Sequence, residues 1–135
     1  MTMPEVLIAL AIGGLVFGSV LTAYVQTTIR AEWSAYNLAA HSLALQRLEQ
    51  ARAAKWDTQC SPPVDLMVPS NFPVTIDILD IPVSGGNVTY ATNVVTISTI
   101  STDPPLKFIS VDTIWQFRPG KVFSNTAVSY RAPDQ

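Results

Sequence analysis

The chain has 135 residues, 48% hydrophobic and only 13% charged, with a net charge of -2 and a mean hydropathy of +0.28. Charged residues make up about a quarter of an average soluble chain, so this low content argues against disorder. The mildly acidic balance also supplies no positive field for nucleic acid or anionic headgroups, which leaves function to shape, assembly or a small local site.

From Val6 to Ile29, 24 consecutive residues contain no Asp, Glu, Lys, Arg or His. As a helix this run would be about 36 Å long, enough to cross a hydrocarbon core of about 30 Å with some tilt. A cleaved secretory signal would start basic and have a shorter apolar core, so the run is expected to span a membrane. Pro4 lies where a first helical turn tolerates it, and the next prolines are Pro62 and Pro63. One helix is therefore predicted from Met3 to about Trp56. In its outer half, Trp33, Tyr36, Ala40, Leu43, Ala44, Ala51 and Ala54 form an apolar stripe interrupted by Arg47. Leu38, Leu45, Leu48 and Trp56 form a second. Two stripes imply two partners, the chain's own sheet and something else.

Composition changes at Trp56: residues 1–56 hold 11 of 14 Ala and 8 of 11 Leu, whereas residues 57–135 hold nine of ten Pro, with ten Val, seven Ile and nine Thr. The first part reads as helix and the second as sheet with loops. Three segments follow: 1–29, a hydrophobic transmembrane or filament-core helix; 30–57, its amphipathic continuation; and 58–135, a β-rich head. Strands are predicted at Val74–Leu79, Asn87–Ala91, Val94–Thr99 and Lys107–Phe117. A turn at Arg118-Pro-Gly-Lys121 leads into Val122-Phe123, and Ala127–Arg131 adds a final strand. The fold class is α+β, with the second half of the helix packed on a small antiparallel sheet. The alternation in Val74, Ile76 and Ile78 predicts that these three side chains face the helix.

Thr2 followed by Glu5 has the spacing of a capping box, and a carboxylate suits the positive end of a helix dipole. Gly13, Gly14 and Gly18 suit either close helix packing, since Gly14-Leu-Val-Phe-Gly18 has the GxxxG spacing, or local unwinding at about 1 kcal/mol per Gly relative to Ala. Catalysis finds little support. His41 and Cys60 are single, and a nucleophile pair made from them would lie at different levels of the structure. No enzyme activity, cofactor or metal is expected. Asp77, Asp80, Asp103 and Asp112 lack calcium-loop spacing and read as solvated acids. Asn87-Val-Thr89 matches the N-glycosylation pattern but reads as ordinary strand sequence.

Thr2-Met-Pro-Glu-Val-Leu-Ile-Ala-Leu-Ala-Ile resembles the mature N-terminus of type IV pilins and of the pseudopilins of type II secretion. In that family an apolar first residue, often Thr second and Glu fifth, precedes an uncharged helix; the corresponding residues here are Met1, Thr2 and Glu5. The chain departs from major pilins in having Met1 where Phe is preferred, Thr22 where Pro is common, and one Cys60 where a disulfide closes a C-terminal loop. The resemblance implies processing and methylation at Met1 after cleavage by a prepilin peptidase. It also implies residence in the bacterial inner membrane and then assembly, by dedicated machinery, into a helical homo-oligomer. In such a filament Glu5, removed from water and lipid, would pair with the Met1 amine of a neighbour. The expected function is that of an extracellular filament subunit. The alternatives are a minor or secretion pseudopilin forming a short periplasmic pseudopilus, or a membrane-tethered binding module.

Overall fold

A computed structural model describes residues 2–79, 88–117 and 120–134. It is α+β: helix α1 (Met3–Arg52), strands β1 (Trp56–Asp57), β2 (Val64–Asp65), β3 (Thr75–Ile78), β4 (Tyr90–Thr102), β5 (Pro105–Gln116) and β6 (Val122–Arg131), with a short 3₁₀ turn at Pro69–Asn71. β1 and β2 form a two-stranded sheet, and β3-β4-β5-β6 form an antiparallel four-stranded sheet in sequence order. The chain divides into two compact units, Met1–Ala35 and Tyr36–Gln135. The first is helix, and that helix is long and apolar enough to cross a membrane.

In the second unit α1 buries Ala40, Ala44, Leu48 and Ala51, positions spaced by three or four residues and hence on one side of a helix. Three of the four are alanines, which let the helix backbone come close to the sheet. Ala44, Leu48 and Ala51 join Trp56, Met67, Ile109, Val111 and Ala127 in one hydrophobic core. β5 supplies the centre of the sheet: Lys107, Ile109, Val111, Thr113 and Trp115 alternate inward, with Phe117 just past its end, all buried, as a strand period of two requires. At the Tyr36 end of the core, the Tyr36 ring stacks on Trp115 at 5.9 Å between centroids, and Trp115 stacks on Phe123 at 5.1 Å.

The helix stops at Arg52, four residues short of Trp56. Its last turn tightens through Ala53 N–H to Glu49 O at 2.9 Å and Ala54 N–H to Ala51 O at 3.3 Å, and the Arg131 guanidinium donates to the Ala54 carbonyl. Trp56 is then extended and pairs with Asp65. Tertiary hydrogen bonds to its carbonyl and amide (Asp134 N–H to Trp56 O at 2.7 Å, Trp56 N–H to Asp134 Oδ2 at 3.0 Å) outweigh the helix propensity of Ala53-Ala54-Lys55.

β4 and β6 are single strands where two pieces each are expected from sequence. Neither contains Gly or Pro, and β4 absorbs its one irregularity as a register shift between Thr99 and Ser101. The expected strand start at Asn87 and the turn residues Arg118 and Pro119 lie outside the described residues. Gly120 has φ +86, a left-handed conformation that glycine adopts without strain.

The expected orientation of β3 is corrected. Val74, Ile76 and Ile78 are 60, 68 and 58% exposed, and Thr75 and Asp77 point inward instead. The pairing Thr75↔Asn93 and Asp77↔Ala91 fixes this phase, because Ala91 and Asn93 are buried on the helix side. Polar partners inside the sheet hold the strand in this register.

Candidate functional site

At the start of α1 the Thr2 amide donates to Glu5 Oε2 at 2.7 Å. Glu5 N–H and Val6 N–H both donate to the Thr2 carbonyl, at 3.0 and 3.4 Å. Glu5 thus stands at the third helical position and closes its half of the capping box expected from Thr2-x-x-Glu5. Met1 lies outside the described residues.

Every residue from Thr2 to Thr28 is exposed, so among the described residues no side chain covers this apolar run. A Cβ placed on Gly13, Gly14 or Gly18 would meet nothing within 4 Å; their small size answers to no contact among the described residues. The hydroxyls in the run turn back on their own helix. Ser19 donates to Val16 O at 2.7 Å, Thr22 to Gly18 O and Thr27 to Ala23 O at 2.8 Å, and Thr28 to Tyr24 O at 3.0 Å. With donors spent on carbonyls three or four residues back, these side chains enter an apolar medium at reduced cost. The absence of charge is plain in the sequence, whereas this second economy is not. Its signal was the spacing of each hydroxyl from a preceding helical carbonyl.

The head carries a polar row across its helix-facing side that the sequence reading missed. Arg47 NH2 donates to Asp77 Oδ2 at 2.7 Å, and Asn93 Nδ2 donates to the same oxygen at 2.7 Å. Thr113 Oγ1 donates to Asn93 Oδ1 at 2.7 Å. One strand further on, Asn125 Oδ1 accepts from Trp115 Nε1, and its Nδ2 donates to Asn37 Oδ1, each at 2.7 Å. The Arg47 guanidinium, with help from Thr75 and Asn93, holds the Asp77 carboxyl below the usual carboxylate range. The signal for the row was the strict alternation of β4 and β5, which puts Asn93 and Thr113 in phase with buried Ala91 and Val111.

Lys107 is the other buried polar group, 7% exposed. Its Nζ donates to Met67 O at 2.7 Å and to Asp65 Oδ2 at 2.5 Å, and sits 4.8 Å from the centre of the Trp56 ring. It ties the small sheet to the large one, with the cation over an aromatic face.

Among the described residues, those considered for catalysis or metal binding are not brought together. His41 is exposed on α1. Cys60 is exposed in the loop after β1, where its thiol donates to Asp57 Oδ2 at 2.7 Å. That bond raises the thiol above its ordinary value and lowers Asp57. Asp77 points to the helix side of the sheet, whereas Asp112 accepts from Thr126 Oγ1 in the opposite phase of β5. Asp103 is exposed in the β4–β5 turn, and Asp80 and Asn87 lie outside the described residues. Among the described residues no three His, Cys, Asp or Glu side chains could hold a metal ion.

These features define an α+β chain with an uncovered, uncharged N-terminal helix and a helix-backed antiparallel sheet. No protein-family model, curated protein or solved structure matches it.

Proposed function

We propose that the chain is a structural subunit of an extracellular filament of the type IV pilin kind and not an enzyme. The observation that carries this reading is the exposed run Val6–Thr28, devoid of charge and preceded by a single carboxylate at Glu5. A bilayer accommodates such a helix, and so does a bundle of like helices. The chain would wait in the bacterial inner membrane after processing by a prepilin peptidase. It would then be extracted by assembly machinery, with Gly13, Gly14 and Gly18 allowing close approach or local unwinding. In the filament Glu5 would neutralise the Met1 amine of a neighbour, since each charge alone in an apolar core costs several kcal/mol. Nucleic acid plays no part in this reading.

The test is to shear cells that express the chain and image the pelleted fraction. Long fibres made of this protein support the filament subunit. Fibres that appear only on overproduction identify a secretion pseudopilin, and protein recovered only as detergent-extracted monomer identifies a tethered binding module.

A further inference from the structure

The order β3-β4-β5-β6 leaves the large sheet with two edge strands, β3 and β6. Two hydrogen bonds at the strand ends fix which backbone groups face outward. Leu79 N–H donates to Thr89 O at 2.9 Å, and Phe117 N–H donates to Lys121 O at 3.0 Å. These bonds continue the pairings Ile78↔Tyr90 and Gln116↔Val122 by one residue. Bonded and non-bonded pairs alternate in an antiparallel ladder. Ile76 and Ile78 on β3, and Val122, Ser124, Thr126 and Val128 on β6, therefore turn their N–H and C=O groups away from the sheet. None of these groups has a hydrogen-bond partner among the described residues. Their side chains lie on the face away from α1, where Val122 and Val128 are 66 and 53% exposed.

Edge strands ordinarily carry a device against pairing, such as Lys, Pro, a bulge or an inward charge. β6 has no Lys, Pro or Gly and pairs with β5 over its whole length without a register shift. β3 is short and carries an inward Asp77, but that carboxylate is already held by Arg47 and Asn93. The two edges also fit each other. With an even number of strands, a second copy in the same orientation sets its β3 antiparallel to β6. The alternation of bonded pairs returns to its starting phase after four strands, so Ile78 of that copy would oppose Val122, and Ile76 would oppose Ser124, with outward groups facing outward groups. Side chains keep their faces in this register; a slip of one residue breaks both face and phase, and a slip of two restores them. The charges on the two strands, Asp77 and Arg131, are opposite in sign and both lie on the helix side.

We infer that the heads of neighbouring copies join edge to edge, β6 of one to β3 of the next, so that one antiparallel sheet runs across subunits. The contact is heterologous, and its repetition gives an open helix or a ring and not a closed pair. The inference rests on the filament reading, which supplies copies in one orientation, and adds to it the surface by which the heads meet.

The test uses full-length chain in a Cys60→Ser background, with Ile76→Cys and Ser124→Cys on the same molecule. Within one head these sites are three strand spacings apart, about 14 Å, too far for a disulfide. Oxidised fibres should therefore give a ladder of covalent multimers, and each single variant should stay monomeric. A second pair, Ile76→Cys with Thr126→Cys, catches neighbours offset by two residues. Ile76→Cys with Thr96→Cys, exposed on the inner strand β4, should give no ladder. In parallel, Ile76→Lys and Ser124→Glu, each alone, should deplete the sheared fibres while thermal unfolding of the head in detergent stays as in the wild type. The two together should restore the fibres. Wild-type fibres combined with no ladder from either edge pair, or with normal fibre yield from Ile76→Lys, overturn the edge pairing and leave the filament reading standing. Ladders in oxidised membranes from cells that never yield fibres support the pairing and refute the filament. Adducts of Ser124→Cys with a different protein, independent of Ile76, make β6 a strand-binding edge for that protein and overturn pairing between copies.

Discussion

The Thr2 amide and Glu5 Oε2 are 2.7 Å apart, so one carboxylate oxygen closes the first helical turn and Oε1 takes no part in that bond. Capping and the proposed pairing with a neighbour's amine therefore make separate demands on Glu5. Glu5→Gln keeps an amide oxygen for Thr2 but removes the charge; Glu5→Leu removes both. Loss of the cap alone frays one helix end at a cost of about 1 kcal/mol, which many other contacts absorb. Under the filament reading both variants should reach the membrane with folded heads and yield few fibres. Sheared-fibre yield at matched membrane levels decides the matter, and normal fibres from Glu5→Gln would sink the charge-pairing mechanism.

Asp77 is the point where α1, β3 and β4 meet through hydrogen bonds. Asp77→Ala should destabilise the head by about 2 kcal/mol, because it strands Asn93 Nδ2 in a site only 1% exposed and deprives Arg47 of its ion pair. Arg47 Nε already lacks a hydrogen-bond partner, so the guanidinium has little reserve. Thermal unfolding of the full chain in detergent, followed by the fluorescence of buried Trp56 and Trp115, would measure the change. A loss below about 0.5 kcal/mol, the range typical of plain surface changes, would show that the row is not cooperative.

The same contact sets a pH dependence. Asp77, Asp57 and Asp134 all have carboxyl groups held below the ordinary value, the first by Arg47, the second by the Cys60 thiol and the third by the Trp56 amide. A folded-state value below the unfolded one of about 3.9 contributes stability that is fully present above the unfolded value and lost as pH falls through the folded one. Head stability should therefore show no loss from these groups between pH 7 and about pH 5, and should decline below about pH 4. Asp77→Asn should flatten part of that decline. An identical acid profile for wild type and Asp77→Asn would remove Asp77 from the account.

How much of this was legible in the sequence depends on how local each determinant is. Helix α1 and the strand cores were readable, because an uncharged run and the period-two alternation of Lys107–Phe117 are written in neighbouring residues. The facing of β3 was not. Val74, Ile76 and Ile78 alternate correctly for a buried side, but β3 is an edge strand whose phase is set by Asn93 and Arg47, 16 and 30 residues from Asp77 in the chain. The stop at Arg52 was missed for a similar reason, since Arg131 caps Ala54 from 77 residues away. Lys107 was placed in a strand, but nothing nearby revealed that Met67 and Asp65 would make its burial tolerable. At the N-terminus the cap was visible from Thr2 and Glu5 alone.

Lys107 offers a direct check on the link between the two sheets. Lys107→Met keeps most of the volume beside Trp56 but leaves the Met67 carbonyl without its buried donor, and should cost about 1–3 kcal/mol. Unfolding of that variant, compared with Asp65→Asn, would separate the carbonyl bond from the ion pair. Asp65 is 40% exposed on its side chain, so its loss should be the milder of the two.

Cys60 should react slowly for an exposed thiol, because its S–H is committed to Asp57 and the neighbouring carboxylate disfavours the thiolate. Asp57→Asn should accelerate alkylation at neutral pH, measured by mass spectrometry after timed treatment with iodoacetamide. Slower alkylation of that variant would contradict the assigned bond. Under the filament reading, Cys60→Ser should leave fibre yield unchanged.

The exchange of hydrogen bonds between Trp56 and Asp134 bears on the order of events during synthesis. Trp56 leaves the ribosome 78 residues ahead of Asp134, and Ala54 waits almost as long for Arg131. Until residues 131–134 emerge, the carbonyl of Ala54 just past α1 is uncapped and Trp56 lacks its two hydrogen bonds to Asp134. A nascent head is therefore open at the seat of Trp56, and residues 131–134 close it. A chain cut short after β6 would have every strand of the large sheet yet lack the pair of hydrogen bonds that latches Trp56 to Asp134.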